Sequence, residues 1–151
     1  MGLKRLVGSG DRIGATVGPV LVVGVVLNVA FPEVFSVGGP PVWLAVVAVL
    51  LLVPGIVAWA WSVVLILRDV PRGRLITGGP YAVVKHPLYT AVGLLVLPAA
   101  GLLLDTWLGV VVGIALYVAS RVFAPGEERV LARVFGARWD AYRDGVLVPW
   151  L

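Results

Sequence analysis

Three short stretches of this chain carry side chains able to do chemistry. The first, Arg68 to Lys85, reads RDVPRGRLITGGPYAVVK. Pro71, Gly73, Gly78, Gly79 and Pro80 break regular structure, so most of it reads as turn. Glycines there let a backbone approach a ligand closely. The second is Lys85-His86-Pro87-Leu88-Tyr89. Proline favours the first position of a helix, so a helix is expected from Pro87, with His86 at its N-cap and Tyr89 on the same face. Both then lie near four free backbone N–H groups at the positive end of a helix dipole, a site that suits an anion such as a carboxylate. The third is Glu127-Glu128, two acids that either favour the start of a helix or face a ligand. There is no cysteine and one histidine. Disulfides, thiolate metal sites, cysteine nucleophiles and multi-histidine metal sites are therefore excluded.

The elements that must position these residues are apolar. Of 151 residues, 60% are hydrophobic and 13% charged, against roughly 25% charged in a typical soluble domain. That leaves too few charges to cover a water-soluble surface, and it excludes disorder as well. A span needs about 20 apolar residues to cross roughly 30 Å of hydrocarbon. Four runs qualify as spans: 13–31, 42–67 (interrupted by Pro54-Gly55), 88–104 and 107–123. The last two are separated only by Asp105-Thr106 and form a tight hairpin, with Asp105 placed to cap the fourth helix. A cleaved signal peptide is disfavoured, because the first run is long and Phe31-Pro32-Glu33 offers no small-residue cleavage site. In this membrane setting Gly78-Gly79-Pro80, taken alone, fits a loop re-entering the membrane, and His86 with Tyr89 fits an anchor at headgroup level.

With four spans, all 12 basic residues fall on one side: Lys4, Arg5 and Arg12 before the first span; Arg68, Arg72, Arg74 and Lys85 between the second and third; Arg121, Arg129, Arg133, Arg138 and Arg143 at or beyond the end of the fourth. The positive-inside rule makes that side cytoplasmic, with both termini there. Topology and anionic lipid account for the net charge of +4, and no nucleic acid is needed. Pro125 is expected to end the fourth span and open a separate helix over about 125–143. That helix sets Val130, Leu131, Val134, Phe135 and Tyr142 on one face, so it reads as amphipathic and lies at the membrane surface. Trp150 falls in the interfacial belt. The expected fold is an all-α integral membrane protein with four transmembrane helices, a hairpin in its C-terminal half and a cytoplasmic amphipathic C-terminal helix, in a single membrane domain.

Gly79-Pro80-Tyr81, Lys85-His86-Pro87-Leu88-Tyr89, the hairpin, Glu127-Glu128, Phe135-Gly136 and Val148-Pro149 follow one another in an order and spacing that resembles the isoprenylcysteine carboxyl methyltransferase and phospholipid methyltransferase superfamily. The resemblance covers Leu75 to the C-terminus. It implies an integral membrane methyltransferase that uses S-adenosylmethionine and no metal. The implied cofactor-binding residues are Arg74, Leu75, Ile76, Tyr81, His86, Pro87, Leu88, Tyr89 and one glutamate of the pair, with Glu128 favoured. The chain departs from the family pattern at four places. Lys85 replaces an Arg, Ala91 stands where Gly often follows the Tyr, Trp139 replaces a Tyr, and the family's Arg before the Glu pair has only Arg121, displaced by two, as its counterpart.

The implied reaction asks the protein to hold a nucleophile against an already activated methyl group. The acceptor would be a lipophilic small molecule or lipid entering from the bilayer. A carboxylate or thiolate acceptor would want a cation nearby, Arg121 or Lys85. An amine would need a base, for which Glu127 or Glu128 is the candidate. Two other classes are weighed against this one. A small multidrug-type transporter would want an ionisable residue deep within a span, and none is present. A non-catalytic scaffold of the same fold is distinguished by cofactor binding.

Overall fold

A computed structural model describes residues 10–149; the expectations placed on Lys4, Arg5 and Trp150 lie outside them. The described residues are helical, with no strand and one isolated parallel bridge, Val84 to Val148. The helices are α1 (Gly10–Ala30), α2 (Pro32–Phe35), α3 (Val42–Asp69), α4 (Pro80–Val83), α5 (Pro87–Ala91), α6 (Leu97–Leu103), α7 (Leu108–Phe135) and α8 (Ala137–Gly145). A 3-10 turn, Val70–Arg72, extends α3, and a π-helical stretch, Val92–Val96, joins α5 to α6. The wide π turn ends two residues before Pro98, whose missing N–H and ring would disturb a regular helix.

Among the described residues, three helices are long and apolar enough to cross a membrane: Gly10–Ala30, Val42–Arg72 and Leu108–Phe135. The expected span 88–104 is a shorter apolar helix, Pro87–Leu103. Most large apolar side chains on α1 and α3 are exposed, including Val22, Val26, Leu50, Val53 and Leu67. Apolar surface on that scale is stable only against lipid or a partner.

Two prolines behave differently from expectation. Pro54-Gly55 does not interrupt α3, and Pro125 neither ends α7 nor opens a new helix. The expected interfacial helix over 125–143 is instead the last part of α7 followed, after Gly136, by α8. Within apolar surroundings, neighbouring helices and small local adjustments re-satisfy the carbonyl a proline strands, so the helix continues. At about 1.5 Å per residue the 28 residues of α7 reach about 42 Å. That exceeds the roughly 30 Å hydrocarbon core, so the charged stretch from Glu127 onward projects beyond the apolar layer.

The hairpin is packed backbone to backbone. A Cβ on Gly101 would sit 2.8 Å from Gly109 Cα, one on Gly93 would sit 2.9 Å from the Gly113 carbonyl, and Cβ atoms on Gly109 and Gly113 would collide with the carbonyls of Leu97 and Gly93. Small residues permit this approach, the usual device of packed membrane helices. On the other side of α7, Ile13 and Val17 of α1 pack with Phe35, Leu108, Val112 and Ala119.

The hairpin turn is also clasped to the loop after α2. Asp105 does not cap α7. Its carboxylate accepts hydrogen bonds from Ser36 Oγ at 2.7 Å and from the Gly39 and Val37 N–H groups at 2.8 and 3.2 Å. Just ahead of α7, Thr106 Oγ1 accepts the Leu108 N–H at 3.1 Å while donating to Asn28 at 2.7 Å. Trp107 donates to the Val34 carbonyl at 2.8 Å and stacks on Phe35 at 4.6 Å.

Candidate active site

At the opposite end from that clasp, α3, the loop after it, α5, α7 and α8 enclose a cavity of about 140 Å³. The loop is shaped by Gly73, in the left-handed region, and by Gly79, which precedes Pro80 at the start of α4. Arg74, Leu75, Ile76, Tyr81, His86, Leu88 and Tyr89 line the cavity, and Glu127 reaches it from α7. The loop and the His-Pro-Leu-Tyr stretch that follows it therefore share one cavity with Glu127, which lies far along the chain.

Two of the expected residues sit behind the wall. Pro87 is almost fully buried and starts α5. Glu128 does not line the cavity. Its Oε1 lies 2.8 Å from Lys85 Nζ and 3.2 Å from His86 Nε2. His86 occupies the N-cap position, but its ring does not cap the helix. The anion that Lys85 and His86 meet is the chain's own Glu128. Burial opposes ionisation of Glu128, but hydrogen bonds and charge from His86 and Lys85 outweigh it and hold the carboxyl down at about 2. Arg121 is exposed and is not part of the cavity wall.

Lys85, one of the two cations expected near an acidic acceptor, also lines the cavity; the rest of the wall is Ile66, Val70, Leu131, Phe135, Trp139 and Tyr142, none of which the local pattern marks as a site. Leu131, Phe135 and Tyr142 had the spacing of a membrane-facing stripe. In the structure that stripe faces inward, because Gly136 turns the chain so that α8 folds back. Trp139, Tyr142 and Val146 are buried against Leu75, Tyr81, Leu131 and Phe135. Tyr142 donates to the Tyr81 carbonyl at 2.8 Å. Burial pushes the hydroxyls of Tyr81 and Tyr142 above their usual range. Beyond α8, the Leu147 and Val148 N–H groups donate to the carbonyls of Ala82 and Val83 at 3.3 and 2.9 Å, strapping the chain end to the segment that carries Tyr81.

A bundle of long apolar helices that gathers an Arg, a His, a Glu and several aromatics at one end has the form of a membrane enzyme acting on a lipid-soluble molecule. A family model described as phospholipid methyltransferase matches residues 34–138, more than half of the chain. The chain belongs to that family, within the superfamily that the motifs resemble, and is a membrane methyltransferase directed at lipid-type substrates. No curated protein and no solved structure gives a significant match.

Proposed function

We propose that the chain transfers a methyl group from S-adenosylmethionine to a lipophilic acceptor that reaches the cavity from the bilayer. The observation that carries this reading is the convergence of 74–76, Tyr81, His86, Leu88, Tyr89 and Glu127 on one cavity. When bound, the cofactor supplies an activated methyl group on a sulfonium. The donor set fits its other parts. Arg74 at the rim suits a carboxylate, Glu127 suits an ammonium through a charge-assisted hydrogen bond, and Tyr81, Phe135, Trp139 and Tyr142 offer flat apolar faces to a heterocycle.

In this reading Leu75, Ile76, Leu88 and Tyr89 shape the wall, Pro87 fixes the chain direction, and Glu128 supports His86. Ile66, Val70 and Leu88 give an acceptor an apolar approach. Arg121, exposed on α7, meets lipid headgroups rather than reacting groups. The protein's main contribution is to hold two reactants in contact and exclude water, a gain of roughly 7–11 kcal/mol when the geometry is good. We further propose that Pro87–Leu103 completes a four-span topology with both termini cytoplasmic, so that a soluble cofactor enters from the cytoplasm.

Calorimetry with S-adenosylhomocysteine on the detergent-purified protein tests the cofactor assignment. Saturable binding with Kd between about 1 μM and 1 mM is expected, the span of typical KM values. No heat at millimolar concentration overturns it.

A further inference from the structure

Glu128 stands beside the cavity without lining it, and its contacts constrain the chain's one histidine. An ionised carboxylate only accepts hydrogen bonds. The ring nitrogen facing Glu128, Nε2 at 3.2 Å, therefore carries a hydrogen and donates it. Lys85 Nζ, 2.8 Å from the same oxygen, already supplies the counter-charge, so the ring can donate as a neutral imidazole. In a neutral imidazole one nitrogen donates and the other accepts, which leaves the lone pair on Nδ1.

His86 lines the cavity, and Nδ1 makes no hydrogen bond among the described residues. The ring cannot easily turn away. Lys85 before it is tied to the same carboxylate, and Pro87 after it is almost fully buried. The adjacent glutamate does a different job, because successive helical residues point about 100° apart and Glu127 faces the cavity.

We propose that Glu128 is a positioning residue that locks His86 with its hydrogen on Nε2, so that Nδ1 presents a hydrogen-bond acceptor to an N–H or O–H group of the molecule held in the cavity. The identity of that molecule rests on the methyltransferase reading; the lock does not. The donor comes from one of two sources, the ammonium or hydroxyls of the cofactor or the amine of a lipid acceptor. In both cases Glu128 acts only through His86. This arrangement is the orienting partnership by which the group on one imidazole nitrogen fixes the role of the other.

Because there is one histidine, its imidazole nitrogens can be read by NMR without assignment, in protein labelled with ring-¹⁵N histidine and purified on a tag free of histidine. The expected spectrum has a protected, downfield Nε2–¹H signal and an unprotonated Nδ1. That signal is lost in Glu128→Ala and retained in Glu127→Gln. Its absence from the wild-type protein, or its persistence in Glu128→Ala, overturns the lock. The wild-type spectrum decides the matter even if Glu128→Ala does not fold.

S-adenosylhomocysteine and phosphatidylethanolamine nanodiscs, added separately, then identify the donor as the one that shifts Nδ1 and leaves Nε2 bonded. If calorimetry shows binding of either and Nδ1 moves with neither, the acceptor role of Nδ1 is wrong. If neither binds, the methyltransferase reading fails, while the Nε2–¹H signal still decides the lock.

Discussion

Gly79→Ala asks whether the turn before Tyr81 is held by its backbone. Gly79 has φ 62° and ψ −135°, a region that costs a residue with a side chain about 1–3 kcal/mol. The added Cβ would also stand 2.9 Å from Trp61 Cε2 and 3.0 Å from its Nε1. Trp61 is 53% exposed, so its ring can swing aside, and the backbone sets the minimum cost. Losing a glycine from the unfolded chain returns about 0.4–1 kcal/mol. Taking the middle of each range, about 2 less about 0.7 kcal/mol, a net destabilisation of about 1.3 kcal/mol follows. At about 2–4 °C per kcal/mol for a chain of this size, Tm should fall by about 3–5 °C. Gly78 is the internal control, since a Cβ there meets nothing within 4 Å and its φ is not positive; Gly78→Ala should stay within about 0.5 kcal/mol of wild type. Thermal unfolding of the two variants in one detergent reads the difference, and calorimetry with S-adenosylhomocysteine should show weaker binding for Gly79→Ala alone, because Tyr81 follows the turn. Equal melting temperatures for the two variants would refute the reasoning.

Glu127→Gln removes the cavity's carboxylate while keeping its shape. If it meets the cofactor's ammonium, affinity for S-adenosylhomocysteine should drop by about 10- to 150-fold, the equivalent of roughly 1.5–3 kcal/mol for a charge-assisted hydrogen bond; unchanged affinity by calorimetry would remove Glu127 from the site. Asp105 has its carboxyl held below the usual range by the Ser36 hydroxyl and the Gly39 N–H, against some desolvation. A carboxyl depressed in the folded state stabilises above its unfolded pKa of about 3.9 and loses that contribution as pH falls through the folded value. Melting temperature should therefore decline in the acid range below about pH 4, and part of that slope should vanish in Asp105→Asn; an unaltered slope would show that the clasp contributes nothing. A cysteine at exposed Glu33 should react with an impermeant thiol reagent added outside intact cells, while one at exposed Arg129 should react only after permeabilisation, and the reverse pattern would invert the topology.

Much of this architecture is legible from hydropathy alone. The apolar runs fix the long helices, and the two polar residues between 88–104 and 107–123 fix the hairpin. The residues of the loop and of the His-Pro-Leu-Tyr stretch also declare themselves, because glycine, proline and an isolated histidine are rare enough in an apolar chain to carry meaning. Other features depend on contacts that no local pattern encodes. Proline is read as a helix breaker from its behaviour in water, yet at Pro54 and Pro125 the helices run on. Asp105 has the position of a cap, but its reach to Ser36 and Gly39 depends on where another loop lies. The division of labour between Glu127 and Glu128 follows from the rotation of α7 against α5, a register that spacing leaves open. The face of Leu131, Phe135 and Tyr142 has the periodicity of a surface helix, and only the reversal at Gly136 turns it into a cavity wall.

Transfer of labelled methyl tests the central claim most directly. Membranes containing the chain, incubated with methyl-labelled S-adenosylmethionine and extracted into organic solvent, should place label in the lipid fraction above vector-only membranes. Glu127→Gln at equal expression and subsaturating cofactor should lower that incorporation by at least about 10-fold, the lower bound for a lost charge-assisted hydrogen bond. Label no higher than in vector-only membranes, across a full lipid extract and with the protein shown to be folded, would contradict the account.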